Sequence, residues 1–397
     1  MTHLLFTLLG IALVVLTFPL VTELALVTLA NFLPWGSRGR IAGLGDALEG
    51  RANFRLAVIV PAHNEQMLAG RCVASLRASG GPELKILVVA HNCTDATAAN
   101  AVVAGGEALI YNDSNAVGKG FALRYGFEHA LANGVDAVMV VDADSVVSPN
   151  TVADIQSAFA SGTRVLQCRY EMESTTERSS TRLSALAFRA FNVVRPRGRA
   201  RLGLSAGIVG NGFAIHRTVL EAIPYDAFSV VEDLEYHLHL VMAGEKVEYL
   251  DRAMISADFP ESRAGEAVQR SRWEGGRIHT ARVWALPLLG KIVRGQFRLF
   301  EPLCDLTGMP MALGAFALIL AVCLPLNWLR WYASLSLLIV LAHVVTAAWV
   351  GPRFLSTLQL LALSPLYILR KLWMIPGVIR GSSSKAAWVR TERDNTL

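Results

Sequence analysis

Cysteine is sparse in this chain and poorly spaced for what it usually builds. The five residues, Cys72, Cys93, Cys168, Cys304 and Cys323, are scattered over 397 positions. None makes a C-x-x-C pair or a zinc-ligand interval, which excludes a disulfide framework and a structural zinc site and fits reduced thiols. Charge is also scarce, with Asp, Glu, Lys and Arg making up 17% of residues against 53% hydrophobic ones. A net charge of +5 with no nucleic-acid-binding motif excludes DNA or RNA as a partner, and membrane flanks and anionic substrates account for it. No internal repeat or low-complexity tract is present. No Lys or Arg precedes the first apolar run, and that run is too long for a signal-peptide core, so it reads as an anchor rather than a cleaved leader.

Long apolar runs are what the chain has in abundance, and its mean hydropathy is +0.41. Residues 4–33 carry one charge, Glu23, and residues 309–350 form two more stretches split around Asn327 and Arg330. Each is long enough to cross a bilayer, which takes about 20 residues. A shorter stretch, 354–369, spans or lies in the interface. Arg38, Arg40, Arg51 and Arg55 follow the first run, so the positive-inside rule puts the next domain in the cytoplasm. The basic tail (Arg370, Lys371, Arg380, Lys385, Arg390, Arg393) prefers the same side. The expected organisation is a transmembrane anchor at 1–35 and a cytoplasmic domain at 52–280. An amphipathic interfacial helix follows at 285–306, with Lys291, Arg294 and Arg298 among its apolar residues. Then come a membrane region at 307–377, with two spans and a short interfacial or re-entrant segment, and a basic cytoplasmic tail at 378–397. The expected location is the inner membrane, crossed more than once.

Between the membrane segments the pattern alternates short apolar runs with helical stretches. Strands are expected at Leu56–Val60, Lys85–Val89, Ala108–Tyr111, Val135–Val141 and Val165–Cys168, and helices at Leu68–Ser79, from about Asp95, and at Lys119–Asn133. This is the pattern of an α/β domain with a mainly parallel sheet, whose ligands gather beyond the carboxyl ends of the strands.

Polar clusters stand at those ends. The sharpest is Asp142-Ala143-Asp144, where a buried-looking strand stops at two carboxylates one residue apart. Packing does not explain that arrangement; two such carboxylates can hold a hard divalent cation and, through it, a diphosphate. In Pro61-Ala62-His63-Asn64-Glu65, Asn64 can cap a helix with Glu65 in its first turn, or Glu65 can meet a nucleotide. Asn92-Cys93-Thr94-Asp95 is open to the same two readings. Gly118-Lys119-Gly120 opens a helix, its glycines admitting a phosphate and Lys119 supplying a point charge. It is not a Walker A loop, because the preceding glycine and following Ser/Thr are missing. Ser229 and Glu232 have capping-box spacing, which leaves Asp233 available as a general base. Gln269, Arg272 and Trp273 share a helical face, an indole to stack and a guanidinium to fork onto phosphate. A Trp with basic neighbours also suits a membrane interface. Arg189, Arg195, Arg197, Arg199 and Arg201 read as a solvated loop facing lipid headgroups, or as a holder of an anionic lipid.

Taken together, these motifs resemble a membrane-bound family 2 glycosyltransferase with a GT-A catalytic domain. The late Q-x-x-R-W element resembles the branch of cellulose, chitin and hyaluronan synthases and ceramide glucosyltransferases. The ending Trp388-Val389-Arg390-Thr391-Glu392-Arg393 resembles bacterial exopolysaccharide members. The resemblance implies Mg²⁺ or Mn²⁺ on Asp144, with Asp142 toward the nucleoside or sugar end, and Glu65 and Asp95 lining a uridine pocket. It implies Lys119 on phosphate, Asp233 beside Glu232 as the base, and Gln269, Arg272 and Trp273 on diphosphate and acceptor. Asn211 and Gly212, in Gly210-Asn211-Gly212, would shape the acceptor site. His91 stands where many members carry an acidic residue. The implied reaction is inverting transfer from a UDP-sugar to a lipid-linked or polysaccharide acceptor in exopolysaccharide synthesis, among membrane lipids and export-complex proteins. A ceramide glucosyltransferase-like lipid transferase and a catalytically silent nucleotide-binding scaffold are the alternatives.

Overall fold

The computed structural model describes residues 2–33, 54–173, 178–259 and 263–373, without the side chains of 263–270. Expectations resting on Arg38, Arg40 and Arg51, or on the tail beyond 373 with Arg380, Lys385 and Trp388–Arg393, lie outside the described residues. Two compact units form. Among the described residues, one comprises 54–173, 203–259 and 263–268, the other 2–33, 178–202 and 269–373.

The first unit is built on a sheet of β1 (Leu56–Ala62), β2 (Lys85–His91), β3 (Glu107–Tyr111), β4 (Ala137–Val140), β5 (Ser145–Val147), β6 (Val165–Glu173), β7 (Phe213–His216) and β8 (Glu248–Asp258). Its order is β3-β2-β1-β4-β7-β6-β8-β5. The β3-β2-β1-β4 half is parallel throughout. The helix Lys119–Ala132 packs on β1 and β2, and Thr97–Val103 on β3. Ala57, Val58, Ile59 and Val60 are each 0% exposed. A strand covered on both faces has no polar side, which is why its sequence reads as a continuous apolar run.

Beyond β4 the sheet turns mixed. β7 runs antiparallel between β4 and β6, while β6 and β8 are parallel and β8 and β5 antiparallel. Val140 at the end of β4 pairs with Phe213 at the start of β7, which pairs with Gln167 of β6. The acidic triplet, the Gly210-Asn211-Gly212 loop and Gln167 therefore meet at one level of the sheet.

The second unit is helical. Thr2–Ala30 and Asn327–Val350 are long and apolar enough to cross a membrane. Met311–Cys323 reaches that length only together with Phe297–Thr307, from which it is bent by 79°. Leu20, Leu24, Leu318 and Leu329 are buried together in one cluster. Thr17 bonds Tyr332 at 2.9 Å and Thr28 bonds His343 at 2.8 Å, so hydroxyls join the two long helices. A Cβ at Gly198 would lie 2.4 Å from the Val27 carbonyl oxygen, so only glycine permits that approach.

Two sequence expectations are corrected in this unit. The arginine cluster is not a solvated loop. It lies on the helix Ser179–Arg189, the π-turn Ala190–Val194 and the helix Arg195–Arg201, with Arg189, Arg195 and Arg199 buried. Arg195 reaches Glu23 at 2.5 Å and Asp305 at 2.8 Å, and Arg199 reaches Glu23 and Glu301 at 2.7 Å each. Arg277 also binds Asp305, at 2.6 Å. A buried guanidinium costs several kcal/mol unless paired, and these carboxylates supply the pairs. The stretch 285–306 is likewise not one helix. The helix Arg263–Val293 ends at a turn where Gly295 adopts φ 96°, and Phe300–Thr307 begins anew.

Candidate functional site

Four charged residues from three chain segments meet at the strand ends. Lys119 begins its helix after Gly118, which takes φ 138°, a conformation suited to glycine. The Lys119 ammonium lies 2.5 Å from Asp142 Oδ1 and 3.9 Å from Glu232 Oε1, and donates to the Gly210 carbonyl at 2.6 Å. Burial disfavours its charge, but Asp142 and then Glu232 outweigh that and hold Lys119 above the usual lysine range.

Glu232 opens the helix Glu232–Ala243. The expected capping box does not form: Val231 is the N-cap, and the Ser229 N–H donates instead to Glu235 Oε2 at 3.1 Å. Glu232 is 8% exposed. Burial pushes it up to about 7 against the opposing pull of Lys119, with Asp233 pushing the same way as burial. Asp233 is also raised, first by burial. This carboxylate pair therefore exchanges protons nearer neutrality than ordinary carboxylates do. A Cβ at Gly210 would stand 3.1 Å from Asp233 Oδ2, so the carboxylate packs against bare backbone.

Asp142 and Asp144 are partly exposed, with Ala143 buried between them. Burial, then Asp144 and Asp142, hold the Cys72 thiol far above its ordinary range, which disfavours the reactive thiolate. Asn211 is 1% exposed and accepts from the Asp142 N–H at 3.1 Å. Gly212 has φ 73°, and a Cβ there would meet Ile255 at 2.8 Å.

The loops after β1 and β2 are stitched together. Asn64, at φ 55°, accepts from Thr94 N–H at 2.8 Å and does not cap the next helix, Ala69–Gly80, whose N-cap is Leu68. Asp95 accepts from Gln66 N–H at 3.2 Å and Thr97 N–H at 3.0 Å, and Glu65 N–H donates to Thr97 Oγ1 at 2.7 Å. Asp95 thus ties the two loops together. Gly120 serves packing: a Cβ there would fall 2.2 Å from the Ala227 carbonyl oxygen.

Arg272 and Trp273 lie on the helix Arg263–Val293, both half-buried, with the Trp273 ring 6.2 Å from Phe188. Gln269 is on the same helix, and its side chain lies outside the described residues. These residues belong to the helical unit, and the charged set belongs to the sheet unit. A cleft of about 330 Å³ lined by Tyr111, Phe121, Arg124 and Tyr125, among others, contains none of the charged set. The sequence reading passed over Ser145, next to the triplet, and Gln167, although a lone polar residue inside a buried strand is itself a signal.

The sequence profile described as Glycosyltransferase like family 2 matches residues 53–276, more than half of the chain. The chain belongs to this family. As a family 2 glycosyltransferase it is an enzyme with a GT-A fold. It is similar to the solved mannosyltransferase PcManGT from Pyrobaculum calidifontis, in complex with GDP-Man and Mn²⁺. That match has a TM-score of 0.56 and 18% identity, covering 96% of this chain and 99% of the other. Glucosyl-3-phosphoglycerate synthase from Mycobacterium tuberculosis, solved with Mn²⁺, UDP and phosphoglyceric acid, matches with a TM-score of 0.40 and 18% identity, covering 61% of this chain and 81% of the other. A search of curated protein sequences gives no match.

Proposed function

We propose that this glycosyltransferase transfers a sugar, with inversion, from a UDP-sugar to a lipid-linked or polysaccharide acceptor at the cytoplasmic face of the inner membrane. The observation that carries this reading is the Lys119, Asp142, Glu232 and Asp233 constellation beyond the strand ends. Asp233, raised by burial and packed against Gly210, is the base that takes the acceptor hydroxyl's proton as the hydroxyl attacks the anomeric carbon. Lys119 stands between Asp142 and Glu232 and balances charge between them. Arg272 and Trp273 are assigned to diphosphate and acceptor, and Glu65 and Asp95 to the nucleoside.

Among the described residues no group of three or more His, Cys, Asp or Glu side chains forms a metal cage. Asp144 and Asp142 alone fit Mg²⁺ or Mn²⁺, which commonly bind one or two carboxylates and complete their shell with phosphates and water. When bound, the ion supplies positive charge against the departing diphosphate. Support for membrane work comes from the exposed apolar residues Leu286, Leu289, Val293, Phe297 and Phe300, interspersed with Lys291, Arg294 and Arg298.

The test is to incubate membranes containing the full chain with radiolabelled UDP- and GDP-sugars, with and without chelator. Label should enter lipid or polymer from a UDP-sugar, stop with EDTA, and fall about 10²–10⁴-fold in Asp233→Asn. Full turnover in Asp233→Asn removes it as the base; transfer only from GDP-sugars removes the UDP assignment.

A further inference from the structure

We propose that Ser145, Asn211 and Gln167 form a buried bracket that aims the Asp144 carboxylate, and that they are positioning residues for the cation rather than parts of the acceptor surface. The inference rests on the metal reading of Asp144 given above and deepens it.

The direction of each bond follows from chemistry. The Asp142 backbone N–H can only donate, so the Asn211 carboxamide must turn its oxygen toward it, at 3.1 Å. That turns Asn211 Nδ2 toward Ser145 Oγ, at 2.8 Å. The Ser145 oxygen is then an acceptor, and its own proton goes to Asp144 Oδ1, at 2.9 Å. The chain Asn211 N–H to Ser145 O–H to Asp144 carboxylate runs one way only. One carboxylate oxygen is fixed by a donor, which fixes the direction of the other.

Gln167 locks the far end by the same logic. The Val209 N–H can only donate, so Gln167 Oε1 faces it at 3.1 Å. Gln167 Nε2 then donates to the Asn211 carbonyl at 2.7 Å and to the Cys168 carbonyl at 2.9 Å. Ser145 and Gln167 are each 0% exposed and Asn211 1%. An Asn211 side chain so buried, and committed inward at both ends, does not reach an acceptor. In such a closed network each bond polarises the next, and loss of one member loosens the rest. Groups that orient a metal ligand in this way typically matter about 10–100-fold in metal affinity.

The test is Mn²⁺ binding, followed by electron paramagnetic resonance on the purified full-length chain with UDP or GDP present and no sugar donor. Ser145→Ala removes the donor to Asp144 with little change in volume, Gln167→Met removes the lock, and Ser145→Thr keeps the hydroxyl. Metal-free melting midpoints check the fold. Mn²⁺ affinity should drop about 10–100-fold in Ser145→Ala and in Gln167→Met. It should be recovered in part by Ser145→Thr, with metal-free nucleotide binding unchanged. Wild-type Mn²⁺ affinity in Ser145→Ala, while Asp144→Asn abolishes binding, overturns the bracket and leaves the metal site standing. No Mn²⁺ binding by the wild-type chain overturns both.

Discussion

Glu232 and Lys119 set the pH response of the site. Glu232, pushed up to about 7, and Asp233, also raised, are protonated as the solution turns acidic, and a base must be unprotonated to act. Transfer should therefore fall on the acid side at a pH above the usual aspartate range, as Asp233 takes up its proton. In Lys119→Met the ammonium that pulls both Glu232 and Asp233 down is gone, so the acid limb of the kcat/KM profile should move to higher pH. An unmoved limb would show that this pair does not control the rate. The stability effect has the opposite sign. A carboxylate raised in the folded state stabilises the fold below its unfolded value, and that contribution is lost as pH rises through about 7. The acidic triplet was legible in the sequence because two charges ending a buried run have no packing explanation. The partner of Lys119 was not: a Gly-Lys-Gly turn reads the same whether its lysine faces a phosphate or Asp142.

Elements show the same division. The strands Leu56–Ala62, Lys85–His91 and Glu107–Tyr111 and the helix Lys119–Ala132 stood out by their apolar runs and glycine boundaries. Phe213–His216 and Ser145–Val147 are too short to leave such a pattern, and their antiparallel pairing depends on partners distant in sequence. The close approach of the Lys119 helix to the Ala227 segment is another such feature. Gly120→Ala would press a methyl into the Ala227 carbonyl at 2.2 Å, with backbone rather than a flexible side chain opposing it. It should lower stability by about 1–3 kcal/mol, read as a fall in melting midpoint together with loss of activity. Gly162→Ala, at φ 92° with nothing within 4 Å, bears only backbone strain of about 1–2 kcal/mol and should leave activity intact. Equal loss of activity in both would show that the approach at Gly120 does not hold Lys119 in place.

At the scale of the whole molecule, the ionic cluster of the helical unit carries the clearest prediction. Glu23→Gln leaves the Arg195 and Arg199 guanidinium groups short of a buried counter-charge. It should destabilise the purified chain by about 3–5 kcal/mol, seen as a lower melting midpoint in detergent. A midpoint unchanged from wild type would mean that Asp305 and Glu301 suffice. The sequence by itself determined the α/β class, the parallel half of the sheet, the long apolar helices Thr2–Ala30 and Asn327–Val350 and the acidic triplet, because each is written in local periodicity or in charges that interrupt it. Only the tertiary structure decided that Glu23 meets the arginines, that Lys119 meets Asp142 and Glu232, and that Gln167 reaches the Asn211 loop. Those contacts join residues from 23 to 176 positions apart. Burial gives each of them its strength, and no local pattern encodes which distant partner a buried polar group will find.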